Sequence, residues 1–135
     1  MMILHHQQAV LISTWELKQG TNPEVKKLAS RIIKEQSPEI RQMTKWIGSS
    51  MSMGHMEPMS GMVSQKDLQL LKSSKGKKFD LLYLNDMTSH HLGAISAAKP
   101  FINDPSPEVA SMCKSIVRNQ QAEINEIKVL VSKIK

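Results

Sequence analysis

Two histidine doublets, His5-His6 and His90-His91, are the residues of this 135-residue chain best suited to chemistry. Each has a methionine four residues before its second ring, Met2 with His6 and Met87 with His91. On a helix, an i,i+4 pair shares one face. Imidazole with thioether is a donor set that suits copper, Cu(I) above all, whereas imidazole with carboxylate suits iron, manganese or zinc. Two further pairs, Gln36/Glu39 and Gln120/Glu123, stand i,i+3 in stretches whose other inner positions are apolar. A carboxylate buried on such a seam costs several kcal/mol unless something meets it. These residues are therefore either ligands or a buried His–Glu hydrogen-bond network that fixes helix register and binds nothing. The residues alone leave both readings open.

A third group of donors lies between the doublets. Met51, Met53, His55, Met56, Met59 and Met62 fall in a stretch that otherwise holds Gly, Ser and Pro. Such a composition reads as a crossover loop. Methionines usually pack in cores, but a loop offers them no helical face. Soft donors beside a histidine read instead as a capture site for Cu(I) or Ag(I). Thioether in place of thiol fits an oxidising compartment, where cysteine ligands are lost to disulfides. The one cysteine, Cys113, excludes an intramolecular disulfide and reads as a small core residue.

The elements that must position these donors follow from an internal repeat. Met2-x-x-His5-His6-x-x-Ala9-Val10, then Pro23-Glu24-Val25, then Gln36-x-x-Glu39-Ile40 recurs as Met87-x-x-His90-His91-x-x-Ala94-Ile95, Pro107-Glu108-Val109 and Gln120-x-x-Glu123-Ile124. The offset is 85 residues through the histidines and 84 beyond the Pro-Glu-Val turn. In each copy a seam at 3.5-residue spacing follows the turn, Val25, Ala29, Ile32, Gln36, Glu39, Met43, Trp46 and its counterpart Val109 to Leu130. That spacing predicts a long helix with Lys and Arg outward. Two helical hairpins give an all-α, up-down-up-down four-helix bundle. We expect one domain over 1–135, with repeat one at 1–47, the crossover at 48–64 and repeat two at 77–135. A short amphipathic helix at 65–73 should follow the crossover, and Pro100 should end the third bundle helix. Folding each hairpin at its turn sets His5 and His6 level with Gln36 and Glu39. The same operation sets His90 and His91 near Val117 to Gln120, about a turn from Glu123. Residues 77–84 also predict opening turns of the third helix whose counterparts would precede Met1. The expectation is a longer native product whose export or anchor signal lies upstream.

Composition narrows the function classes. Charged residues are 22% and aromatics 4%, which suits helices better than a β-sandwich. No apolar run approaches the roughly 18 residues that a membrane span needs. The net charge of +6 is spread along the chain, apart from Lys75 to Lys78, and no helix-turn-helix, finger or aromatic RNA-binding pattern accompanies it. Nucleic acid is not an expected partner. Nor is there a phosphate loop or nucleophile elbow.

The stretch Gly76-x-x-Phe79-Asp80-x-x-Tyr83-Leu84-x-x-Met87-x-x-His90-His91-x-Gly93-Ala94-Ile95 resembles the hallmark of the bacterial domain of unknown function 305 family. The Pro-Glu-Val, Gln-x-x-Glu-Ile and Met-Ser-Gly-Met-x-Ser segments match it too. The resemblance implies a ferritin-like four-helix bundle, exported or lipid-anchored, in a family with some copper-binding members. Carried over by position, it marks Met2, His5, His6, Gln36, Glu39, Met87, His90, His91, Gln120 and Glu123. The missing start of helix one is the departure from the pattern.

The expected function is therefore a non-catalytic metal-binding protein, a copper carrier or buffer in the periplasm or another extracytoplasmic space. Iron and zinc rank behind copper. Metal ions are the expected partners, with self-association and a copper-delivery protein compatible with that role. Two other readings stand beside it. A ferritin-like di-metal oxidase normally draws Glu from two helices and Glu-x-x-His from the others, and here the second and fourth bundle helices supply Gln-x-x-Glu. A helical interaction module would use the His/Glu core as structure only.

Overall fold

The computed structural model describes residues 2–48 and 60–134. Among the described residues the regular structure is all helical: α1 (Met2–Gln19), α2 (Pro23–Gly48), α3 (Gln65–Lys72), α4 (Gly76–Ala98) and α5 (Pro107–Ile134). The long helices α1, α2, α4 and α5 form the expected bundle, and α3 occupies the predicted short-helix position. The expected donors Met51, Met53, His55, Met56 and Met59 lie outside the described residues.

Local chemistry sets the helix ends. Asn22 accepts hydrogen bonds from the backbone N–H of Glu24 and Val25 through Oδ1 at 2.9 and 3.2 Å, which starts α2 behind Pro23. Ser64 caps α3 by accepting from the Asp67 N–H. Helix α4 stops at Ala98, and a single 3-10 turn, Lys99–Phe101, absorbs Pro100. Asp80 near the start of α4 reaches back to the first hairpin turn, where it accepts from Thr21 N–H, Thr21 Oγ1–H and Asn22 N–H.

Packing follows the repeat. All of Val25, Ala29, Ile32, Gln36, Met43 and Trp46 on α2 are buried, as is the whole matching seam of α5. Cys113 is fully buried on that seam, as expected of a small core residue. Helices α1 and α4 run antiparallel in contact. His5 lies on His90 at one level, Ser13 on Tyr83 at another, and Thr21 on Asp80 at the end. The apolar core falls into two clusters, one around Ile12, Leu28, Phe79 and Leu84, the other around Met43, Trp46, Ala98 and Ile116. Between them lies a layer of polar side chains.

Candidate metal centre

That layer is built from the two histidine doublets and the seam Gln/Glu pairs. His5, His6, His90 and His91 are each no more than 1% exposed. The hairpin geometry delivers one ring of each doublet to the carboxylate across from it. His6 Nε2 lies 2.7 Å from Glu39 Oε1, and His91 Nε2 lies 2.6 Å from Glu123 Oε1. A carboxylate only accepts, so each Nε2 carries the hydrogen and donates it. The remaining rings do something the hairpin arithmetic did not anticipate. His5 and His90, equivalent positions of the two repeats, stack on each other with centroids 3.6 Å apart and planes tilted by 31°. The two expected clusters are therefore one, joined where α1 crosses α4.

Burial holds His5, His90 and His91 neutral. Burial pushes His90 down to about 2, helped by its neighbour His5, and pushes His5 down to about 3, helped by His6. His91 falls to about 4 for the same first reason, with His6 adding to it. Neutral imidazole is the form that binds a metal. Burial also raises Glu123 to about 7, although Glu35 beside it and Arg31 favour its carboxylate. Glu35 itself rises to about 7, through its own desolvation and then the adjacent Glu123.

Hydrogen-bond accounting exposes the chemistry left over. His6 Nδ1, His91 Nδ1, His5 Nε2 and both nitrogens of His90 are buried with no partner, as are the Oε1 atoms of Gln36 and Gln120. A buried polar atom without a partner costs about 1–3 kcal/mol, so a layer holding several needs an explanation. Each neutral ring has one lone-pair nitrogen, so these four rings offer at most four donors to a soft or borderline metal ion. Met2 and Met87 are both buried, 7% and 0% exposed, and fall in the two apolar clusters on either side of the layer. Among the described residues, no three His, Cys, Asp or Glu side chains are gathered to hold one ion. The arrangement fits a low-coordinate ion shared between imidazole and a soft or amide donor, and fits poorly a di-metal centre bridged by carboxylates. Met62, half-exposed at 39%, is the one methionine of the crossover group within the described residues.

Sequence reasoning missed several buried residues. Glu16 is 0% exposed and lies near Asp80 at the far end of α1, where burial first and then the Asp80 carboxylate raise it to about 9. Gly20 makes room for both groups, since a Cβ there would fall 1.6 Å from Glu16 Oε2 and 2.4 Å from Asp80 Oδ1. Ser13 and Tyr83 share a buried hydroxyl–hydroxyl hydrogen bond of 2.6 Å. Asp80 and Tyr83 sit inside the Phe79-Asp80-x-x-Tyr83 motif, so the signal was present without its role. Glu16 has no counterpart in the second repeat, where Phe101 occupies the equivalent position, and no pattern marked it.

Comparison with known proteins places this architecture. The family model described as "Domain of unknown function (DUF305)" matches residues 1–131. A DUF305 protein of Streptomyces coelicolor, described as a candidate secreted protein, has a crystal structure that superposes with a TM-score of 0.91 at 26% identity. The alignment covers 98% of this chain and 88% of that one. A DUF305 fragment from Deinococcus radiodurans gives 0.85 at 27% identity, covering 98% and 91%. CopM in its Cu(II)-bound form gives 0.83 at 31% identity, covering 99% and 93%, and its Cu(I)-bound form gives 0.82 at 31%, covering 98% and 91%. No curated protein matches the chain. With the model spanning nearly its whole length and the bundle superposing throughout, this chain belongs to the DUF305 family.

Proposed function

We propose that the protein binds copper and acts as a carrier or buffer for it. The observation that carries the reading is the set of five buried imidazole nitrogens without a partner in the mid-bundle layer. His5, His6, His90 and His91 supply nitrogen, with Met2, Met87, Gln36 and Gln120 the further donors within the same layer or next to it. Glu39 and Glu123 orient His6 and His91 by accepting their Nε2–H, an arrangement that fixes the tautomer and strengthens the other nitrogen as a ligand. CopM has been crystallised with Cu(I), Cu(II) and silver, which supports a soft cargo for this bundle. Met51, Met53, His55, Met56, Met59 and Met62 would take up Cu(I) first, and the histidine layer would hold it. An extracytoplasmic site of action agrees with this thioether-rich donor set. Among the described residues no helix is long and apolar enough to cross a membrane.

The His6–Glu39 and His91–Glu123 bonds are also what a purely structural core would contain, so the test must separate the two. An anaerobic Cu(I) titration against a chromogenic chelator does so. The intact protein should compete for Cu(I). A His5→Ala/His90→Ala variant and a Met51/Met53/Met56/Met59/Met62→Ala variant should each lose at least about tenfold in affinity. If the intact protein fails to compete, the layer is structural. Oxygen consumption with Fe(II) would instead indicate the di-metal oxidase.

A further inference from the structure

The two repeats are not equivalent where the chain re-enters the bundle. Residues 60–63 form a strap whose backbone lies against α4 at the histidine layer and reaches across to α1. Gly61 has φ +82°, in the left-handed region, and a Cβ there would fall 2.2 Å from the Ser89 carbonyl oxygen and 3.2 Å from His90 Cα. Gly93 lies in the interior of α4, a position where glycine costs helix stability. Its reason is the strap, because a Cβ on Gly93 would fall 1.9 Å from the Ser60 carbonyl oxygen. The same point lies 3.2 Å from His5 Nε2, so the strap backbone runs beside the stacked rings. Gln8, the position equivalent to Gly93 in the first repeat, fastens the other end. Its amide Nε2–H donates to the Val63 carbonyl at 3.0 Å, and its Oε1 accepts from the Val63 N–H at 2.8 Å. One repeat thus leaves a seat for the strap and the other supplies the clasp.

An ion can reach rings this deeply buried only if something moves. The helices meet at the layer through His6 with Glu39, His91 with Glu123 and His5 with His90, and parting them would open both apolar clusters. Releasing the strap gives up far less, the two Gln8 bonds and the burial of Val63, while Ser60 is already exposed. Segments held by few buried contacts open first, well below the free energy of global unfolding. We propose that the Ser60–Val63 strap is the cover of the histidine layer, and that its release from Gln8 and Gly93, with the helices still packed, admits and discharges the ion. Gln8 and Gly93 are positioning residues in this scheme. They hold the cover over loaded and empty protein alike, so they set the rate of exchange and not the strength of binding. Met62 puts a thioether on the cover itself, continuing in sequence the soft donors Met51 to Met59. That the cargo is copper rests on the function proposed above, whereas the strap's place over the rings rests on its geometry alone.

Two measurements test this on the intact protein, Gln8→Ala, Gly93→Ala and Ser13→Ala. The last removes the buried hydroxyl bond to Tyr83, elsewhere between the same two helices, and leaves the strap alone. In the metal-free protein, carbamoylation of the histidine rings by diethyl pyrocarbonate, resolved by peptide mass spectrometry, reads access to the layer. His5 and His90 should react about 10–100-fold faster in Gln8→Ala, the factor that two lost hydrogen bonds give a local opening. Gly93→Ala should accelerate them too, and Ser13→Ala should not. Stopped-flow transfer of Cu(I) to and from a chelator should show uptake and release both faster in Gln8→Ala, with Kd unchanged. Where Gly93→Ala does not fold, as judged by circular dichroism, Gln8→Ala carries the test, because it removes the clasp without adding bulk to the layer. Unchanged ring reactivity in folded Gln8→Ala would overturn the proposal. So would equal acceleration in Ser13→Ala, which would mean that the helices part instead, or a loss of affinity with no change in exchange rate. Faster ring modification in a protein that takes up no Cu(I) would sustain the cover and refute the copper reading.

Discussion

Glu16→Gln is expected to raise the unfolding free energy by about 3 kcal/mol at pH 7 and by almost nothing at pH 4. Glu16 is fully buried near Asp80 and its carboxyl stays protonated up to about pH 9, first through desolvation and then through the Asp80 charge. The unfolded chain releases that proton near the ordinary carboxyl value of 4.5. Between those limits the folded state binds the extra proton, so stability declines as pH rises through the window. Below pH 4.5 both states are protonated and the cost vanishes. Glutamine has nearly the same shape, is neutral throughout, and so removes the pH-dependent cost without opening a cavity. Denaturant melts of both proteins at pH 4 and pH 7 measure the difference. Equal stabilities at both pH values would mean that Glu16 is ionised in the fold.

His90→Leu should show a difference of the opposite sign. His90 is buried, stacked on His5, and held neutral down to about pH 2, chiefly by desolvation. In the unfolded chain an imidazole takes up its proton near 6.5. Its contribution is therefore intact above pH 6.5 and is lost progressively as pH falls toward 2. Leucine, of similar volume, does not titrate. Relative to the intact protein, the variant should gain about 3 kcal/mol on going from pH 7 to pH 4, whatever its packing energy at neutral pH. Parallel stability curves for the two proteins across that range would contradict the burial of an unprotonated ring. The same substitution removes one imidazole from the proposed donor set, so stability at low pH and metal affinity should move in opposite directions.

How far the sequence revealed this depends on the kind of interaction. The 85-residue repeat, the Pro-Glu-Val turns and the 3.5-residue seams were enough for the bundle, because helix periodicity and antiparallel hairpins leave little freedom. Hairpin arithmetic was also enough to bring His6 level with Glu39 and to set His91 about a turn from Glu123, since each pair lies within one hairpin. It could not reveal the His5–His90 stack, which depends on how the two hairpins dock and lies between positions 85 residues apart. Glu16 was invisible for a related reason, and so was the role of Asp80: a carboxyl near a helix end looks solvated until another helix covers it. Gly93 and Gln8 occupy equivalent repeat positions with dissimilar residues, and only the strap passing over both explains the mismatch.

X-ray absorption on the Cu(I)-loaded protein tests most directly whether the buried histidine layer holds a soft metal ion. Imidazole back-scattering together with sulfur is the predicted signature, with the imidazole component lost in His5→Ala/His90→Ala. A spectrum showing sulfur ligands alone, identical in that variant, would contradict the claim and leave the histidine layer as structure.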